Sequence, residues 1–262
     1  MIKYSMYQAH DSVFHRLDPR VKFIMSLYIF VSGVLFSNWM FLVASFSFVV
    51  FLLVGFGRVR LRTIGVYLRP IVPLVVIMLL LWPLFLREGR VLVQVWRITI
   101  TSGGVLMGIA MAARILTMIS ATFLLLMTTQ QKDIISGLTQ MGLPYDYGLT
   151  LVIALRYVPT LAGMAQTITD AQRSRGLELD RGSLFERIRK YIPILAPLIV
   201  GAIRMAQELA IAIDSRAFGH GPRTYLYKRS MRGADYAILA VATAAFCVLT
   251  YARVTGYTVG FP

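Results

Sequence analysis

Five apolar runs separated by basic segments constrain this chain more than anything else in it: Val21 to Phe36, Met40 to Phe56, Ile71 to Leu86, Gly103 to Met127 and Ala234 to Ala252. Runs of this kind read as membrane-crossing helices, although several hold only about 16 or 17 residues, the low end of the roughly 17 to 25 that span a bilayer. Their ends must borrow neighbouring residues, or the bilayer must thin. The composition agrees. Of 262 residues, 57% are hydrophobic and 15% charged, with a mean hydropathy of +0.69, whereas a soluble domain is about 25% charged. The expected fold class is all-α: a polytopic membrane protein with about five transmembrane helices plus two long helices on the cytoplasmic side. A polar, charged stretch precedes Val21, so no cleavable leader is expected.

The net charge is +15, from 27 Lys and Arg against 12 Asp and Glu. In a soluble protein that balance would suggest nucleic acid. Here the basic residues lie between the apolar runs, where they hold loops at the cytoplasmic face and meet anionic membrane lipid, so no nucleic-acid partner is expected. Lys3, Arg16, Arg20 and Lys22 place the N-terminus in the cytoplasm, and Arg58, Arg60, Arg62 and Arg69 place the second connection there too. Ser37-Asn38-Trp39 reads as a tight turn between the first two runs. Pro73 and Pro83 bend or break the third. The segment from Arg87 to Ser102, expected as an outside loop, carries Arg87, Arg90 and Arg97 against Glu88 and argues against this topology. The last run would place the C-terminus outside if all four earlier runs cross. Cys247 lies inside that run, so neither a disulfide framework nor a metal cluster is expected. His10 and His15 read as interfacial histidines rather than a ligand pair.

Arg114, near the middle of the fourth run, and Arg156 are intramembrane cations and therefore site candidates, with Pro159 a further conformational candidate. Each arginine serves either an internal ion pair or a conformational change. The chain divides into N-terminal transmembrane helices over 1–146, a cytoplasm-facing region over 147–232 that is rich in Lys and Arg from Arg173 onward, and a C-terminal helix over 233–262.

The middle region reads as two long helices. The first runs from about Gly148 to Glu178, and the second from near Ser183 through Pro193, Pro197 and Arg204 to Gly219. Arg204, Gln207, Glu208, Asp214 and Ser215 form a polar stripe opposite Ile203, Leu209 and Ile213, which suits a helix lying along or obliquely through the interface. Each helix ends on a small-Arg-small triplet, Ser174-Arg175-Gly176 and Ser215-Arg216-Ala217. A cation in the last turn followed by a left-handed residue is one common way for a helix to stop. An exposed guanidinium between small neighbours is also a docking tip, because its planar fork can enter a groove on another protein. Both readings can hold at once.

No phosphate-binding Gly-x-x-x-x-Gly-Lys-Ser/Thr, no Gly-x-Ser-x-Gly and no His-Glu-x-x-His occurs, and the acids are scattered. No catalytic residue and no metal ligand is assigned. Chemistry would have to come from a partner.

The chain resembles the T component, the transmembrane coupling subunit, of energy-coupling factor transporters, which take up vitamins or metal ions such as cobalt and nickel. The resemblance spans most of the chain and rests on His15-Arg-Leu-Asp-Pro-Arg20, Leu138 to Pro144, Ala154-Leu-Arg156-Tyr-Val-Pro159-Thr160, Ala171-Gln-Arg-Ser-Arg-Gly176 and Asp214-Ser-Arg-Ala-Phe-Gly219. Members carry two Ala-Arg-Gly signatures at the ends of two coupling helices. Here Ser replaces Ala in both, Ala217 replaces Gly in the second, and Gly219 is expected to relieve the backbone two positions later. The resemblance implies a complex of this subunit with two ABC-type ATPases and a small membrane-embedded substrate-binding subunit, in a prokaryotic plasma membrane. It implies that Arg175 and Arg216 each sit in a groove of one ATPase. The chain itself would bind no cofactor, with ATP and magnesium acting in the ATPases. Two rivals remain at this level: a self-contained secondary transporter, which would use features such as Pro73, Pro83, Arg114 and Arg156, and an integral membrane enzyme acting on lipids.

Overall fold

The computed structural model describes residues 12–86, 89–95, 98–179, 183–219, 221 and 231–255. His10, Arg87, Glu88, Arg97, Lys228 and Arg229 lie outside the described residues. The chain forms two compact units, one from Met1–Gly142 with Arg229–Pro262 and the other from Leu143–Lys228.

The first unit begins with α1 (Val13–Arg16) and α2 (Pro19–Leu35). Asp18 starts α2 by accepting a hydrogen bond from Arg20 N at 3.0 Å. Pro19 takes the first turn, where its missing N–H has no partner to lose. Asn38 does the same for α3 (Trp39–Phe51), accepting from Met40 N at 2.9 Å, so the turn between the helices is built by a side chain. A π-helical turn, Leu52–Phe56, closes α3. Next come α4 (Leu61–Leu68), a 3₁₀ turn at Arg69–Ile71 and α5 (Val72–Phe85). The third crossing is therefore longer than the run from Ile71 suggests, because the helix starts at Leu61. Pro70 and Pro73 produce a 3₁₀ step rather than a break, and α5 stops two residues after Pro83.

The segment expected as a loop is a hairpin: β1 (Val91–Val95) pairs antiparallel with β2 (Ile98–Thr101), Val95 opposite Ile98. Alternating β-branched residues favour extended backbone, and the Lys/Arg content hid that pattern. Thr101 then caps α6 (Ser102–Thr128), accepting from Gly104 N at 3.3 Å. The polar connector that follows contains α7 (Gln131–Gln140).

Small residues make α6 the axis of this unit. Gly104, Gly108, Ala110, Ala113 and Ala121 let neighbouring backbones come close. A Cβ added at Gly104 would lie 2.8 Å from Pro83 Cα. Leu42 of α3 packs on Ala110 and Ala113. At the opposite end, Leu124 and Met127 join Phe14, Leu17, Leu53 and Ile64 in the main core.

A buried polar node ties this end together, and the sequence reading did not isolate it. Lys22, 2% exposed, donates to Thr128 O at 3.1 Å and His15 O at 3.3 Å. The last turn of α6 thereby gains a cation at the end its dipole favours. Asp235 caps the last helix, α11 (Gly233–Val254), by accepting from Arg232 N at 2.8 Å. Its other oxygen accepts from Asp18 N at 3.2 Å. The Asp-Pro motif thus fastens the starts of α2 and α11, while Lys22 fastens α2 to the end of α6. His15 shares a 2.7 Å hydrogen bond with Ser12 Oγ.

In the second unit, α8 (Tyr145–Ser174) is followed by α9 (Leu184–Lys190) and α10 (Ile192–Asp214). Ser183 and Glu186 form a capping box that starts α9, and Tyr191 separates it from α10. Gln172 near the end of α8 donates to Pro193 O near the start of α10, at 3.2 Å. Tyr145 at the start of α8 lies beside Phe218 after α10, ring centroids 6.3 Å apart. The two long helices are therefore an antiparallel hairpin. Their middles approach closely, since a Cβ at Gly201 would lie 2.7 Å from Met164 Sδ.

Among the described residues, six helical segments are long and apolar enough to cross a membrane: Trp39–Phe56, Leu61–Phe85, Ser102–Thr128, Tyr145–Ser174, Phe185–Asp214 and Gly233–Val254. With 17 residues, α2 stands at the lower limit of spanning length.

Candidate functional site

The two triplets occupy equivalent places at opposite ends of the α8–α10 hairpin. After α8, Gly176 N donates to Arg173 O at 2.9 Å and Leu177 N to Gln172 O at 3.0 Å, with Gly176 left-handed at φ +91. After α10, Ala217 N donates to Asp214 O at 2.9 Å and Phe218 N to Ile213 O at 3.3 Å, with Ala217 left-handed at φ +54. This paired bonding is a Schellman ending, in which the left-handed residue is usually Gly. The third residue of each triplet therefore does the same backbone work. Gly219 also has a positive φ, +90, but it does not relieve the turn on behalf of Ala217, because Ala217 itself adopts the left-handed conformation that an L-residue resists.

Both serine hydroxyls fold back onto their own helices, Ser174 Oγ to Asp170 O and Ser215 Oγ to Ala212 O, each at 3.0 Å. That leaves Arg175 and Arg216 as the protruding groups. Both are exposed, and among the described residues neither guanidinium has a hydrogen-bond or ion-pair partner. At about 1.5 Å per residue, the tips lie about 16 Å and about 22 Å along their helices from the Met164–Gly201 crossing. Two separate cationic forks on one rigid hairpin can engage two separate grooves.

The hairpin buries one face and leaves another bare. Leu209 and Ile213 of α10 are half-buried, whereas Ile203, expected beside them, is 52% exposed. A step of six residues is not a helical repeat, so Ile203 instead joins Leu195 and Ile199 on an outward apolar face. Arg204, Gln207 and Glu208 are exposed, as a polar stripe should be.

The structure separates the two intramembrane candidates. Arg114 Nη2 donates to Phe36 O at 2.8 Å and to Ser37 Oγ at 3.2 Å. Among the described residues no carboxylate pairs with it. It caps the end of α2, which reaches only halfway along the 27-residue α6. Arg156 and Pro159 are exposed on α8. Pro159 lies inside that helix and has no N–H to offer the backbone ladder.

Helices of this length and apolarity, arranged as a packed bundle and an open hairpin, define a multi-pass membrane protein. The family model described as cobalt transport protein, CbiQ, matches residues 10–226. The chain is 30% identical over 256 residues to the energy-coupling factor transporter transmembrane protein EcfT of Bacillus subtilis, covering 94% of this chain and 96% of that one. It is 34% identical to the protein of the same name from Listeria innocua, covering 89% and 91%, and 33% identical to that of Heliobacterium modesticaldum, covering 95% and 96%. The chain belongs to this family, the transmembrane T components of energy-coupling factor transporters.

Proposed function

We propose that this T component couples two cytoplasmic ABC-type ATPases to a small substrate-binding membrane subunit, for uptake of a vitamin or a metal ion into a prokaryotic cell across its plasma membrane. The observation that carries the proposal is the pair of equivalent Arg-bearing helix endings at opposite ends of one hairpin. Arg175 with Ser174 and Gly176 docks in one ATPase, and Arg216 with Ser215, Ala217 and Gly219 docks in the other. ATP and magnesium act there, and this chain supplies no catalytic group. Closure of the ATPases moves the tips, the hairpin tilts about Met164–Gly201, and the outward apolar face of α8 and α10 carries the motion to the substrate-binding subunit. Pro159 gives α8 a weak point for bending, and Arg156 sits one turn before it.

Sidedness follows from charge. The end of the first unit holding Lys22 and Asp235 also carries Arg16, Arg20 and Arg232, so the positive-inside rule puts it and the N-terminus in the cytoplasm.

Replacement of each arginine by Gln tests the docking. Buried arginine anchors at interfaces are worth about 2 kcal/mol or more, about 30-fold in affinity. Arg175→Gln and Arg216→Gln should each weaken ATPase capture by about that factor, and the double variant should abolish transport. Arg→Lys separates docking from capping: lysine keeps the charge at the helix end but lacks the planar fork, so capture should fall while the helices stay intact. A double Gln variant that brings down both ATPases at wild-type yield would remove the proposal.

A further inference from the structure

A groove of about 610 Å³ runs between α2, α3 and α11, lined by Met25, Tyr28, Phe41, Phe48, Ala245 and Leu249 among others. Its walls are almost wholly apolar, and it is partly open rather than enclosed. It lies where α11 packs chiefly on α2, with Tyr28 stacked on Phe246 at 4.6 Å and its hydroxyl 3.3 Å from Thr243 Oγ1, and α3 forms the remaining wall. The volume falls within the roughly 300 to 1,000 Å³ of sites that enclose a ligand-sized molecule.

The charge at one end of the groove indicates the occupant. The α11 stripe that lines it, Ala242, Ala245 and Leu249, continues at helical spacing to Arg253. The Arg253 guanidinium lies 5.9 Å above the Phe36 ring, and Phe36 packs on the groove residue Phe41 with ring centroids 4.3 Å apart. Arg114 donates to the Phe36 carbonyl, and its buried Nε has no hydrogen-bond partner among the described residues. Two guanidinium groups thus meet one residue, and no described carboxylate pairs with either. Like charges so placed repel, and an anion between them removes that cost. We propose that this groove is a binding site for an anionic phospholipid, one acyl chain lying against Tyr28, Phe48 and Ala245 and the phosphate held by Arg253 with Arg114. The site sits at the far end of the first unit from Lys22 and Asp235 and does not depend on the proposed coupling role.

The test is native mass spectrometry of the full chain in mild detergent with an equimolar mixture of dioleoyl phosphatidylglycerol and dioleoyl phosphatidylcholine. The wild type should retain phosphatidylglycerol preferentially. Arg253→Gln, an exposed change that leaves the bundle packing alone, should reduce that preference about fivefold, the weight of one basic residue at a lipid surface. Ala245→Trp should fill the groove and lower retention of both lipids. Equal retention of the two lipids by the wild type, or an unaltered preference in Arg253→Gln, overturns the proposal, and this arm stands even where Ala245→Trp expresses poorly. Displacement of lipid by excess glycerol 3-phosphate would assign the arginines to a free phosphate instead. Lipid-free pairs of chains that Ala245→Trp dissociates would assign the groove to self-association. Either result also overturns it.

Discussion

The axis of the first unit and the helices of the second are both long and apolar, yet they are used in opposite ways. In the most apolar 18-residue stretch of Ser102–Thr128, 44% of the residues are buried, against 6% in the corresponding stretches of Tyr145–Ser174 and Phe185–Asp214. Small residues fill most of the buried positions of α6, so α2, α3 and α5 can close on it. The faces of α8 and α10 carry large exposed side chains, including Ile199, Ile211 and Tyr147. A helix hydrophobic on every side needs a neighbour or lipid on every side. The first unit packs around its axis, while its outer spans Leu61–Phe85 and Gly233–Val254, 6% and 0% buried, face outward as both long helices of the second unit do.

That difference predicts where substitutions act. The largest loss of stability should come from the polar node of the first unit. Asp235→Ala removes the acceptor for both Asp18 N–H and Arg232 N–H, and leaving buried donors unpaired should cost about 2 to 3 kcal/mol. The measurement is thermal unfolding in detergent. If an exposed change on the hairpin, Ile211→Ala, were equally costly, the contrast between the units would fail, because truncation at an exposed site should stay within about 0.5 kcal/mol.

The close approach of Gly201 to Met164 in the hairpin offers a second break. Gly201→Leu puts a branched side chain where Met164 Sδ already sits, and overpacking of this kind costs about 1 to 3 kcal/mol. Met164 is flexible and can move aside, so the stability loss should fall at the lower end. The larger effect should be on function: ATPase capture at the tips survives, because Arg175 and Arg216 lie well beyond the crossing, while transport falls. Loss of capture and transport together would show that the crossing holds the tips in place rather than transmitting their motion.

Much of this was legible from sequence. The apolar runs located the bundle helices to within a few residues, and Asn38 and Asp18 are cap residues in plain view. The triplets announced helix endings, and the structure shows them to be one motif used twice. Other features were hidden for physical reasons. The β1–β2 hairpin was masked by its basic residues, and the helix from Leu61 by prolines that usually end helices but here sit in a first turn. Lys22 reads as one more cytoplasmic cation until its Nζ is seen on the Thr128 carbonyl. Its partner lies 106 residues away, beyond the reach of local pattern. A lysine directly inside an Asp-Pro helix start, one turn from the cap, is the signal that could have raised it. Arg114 was identifiable as an intramembrane cation, but its partner is a backbone carbonyl, which leaves no mark in a sequence.

The smallest predicted effect separates the two tips themselves. They share hydrogen bonding, exposure and the backturned serine, and differ in Gly176 against Ala217 at the left-handed position. An L-residue there costs roughly 1 to 2 kcal/mol, less the roughly 0.5 to 1 kcal/mol that glycine loses in conformational freedom on folding. Ala217→Gly should therefore stabilise its helix end by about 0.5 to 1 kcal/mol, and Gly176→Ala should destabilise the other by a similar amount. Hydrogen exchange at the amides of Ala217 and Phe218, and of Gly176 and Leu177, reads each end separately, because local opening reports local stability. The signs should be opposite, with Arg216 still able to capture its ATPase in Ala217→Gly. If that variant instead lost capture with its helix end firmer, the Ala217 methyl would be part of the docking surface, and the two tips would be built for two different grooves.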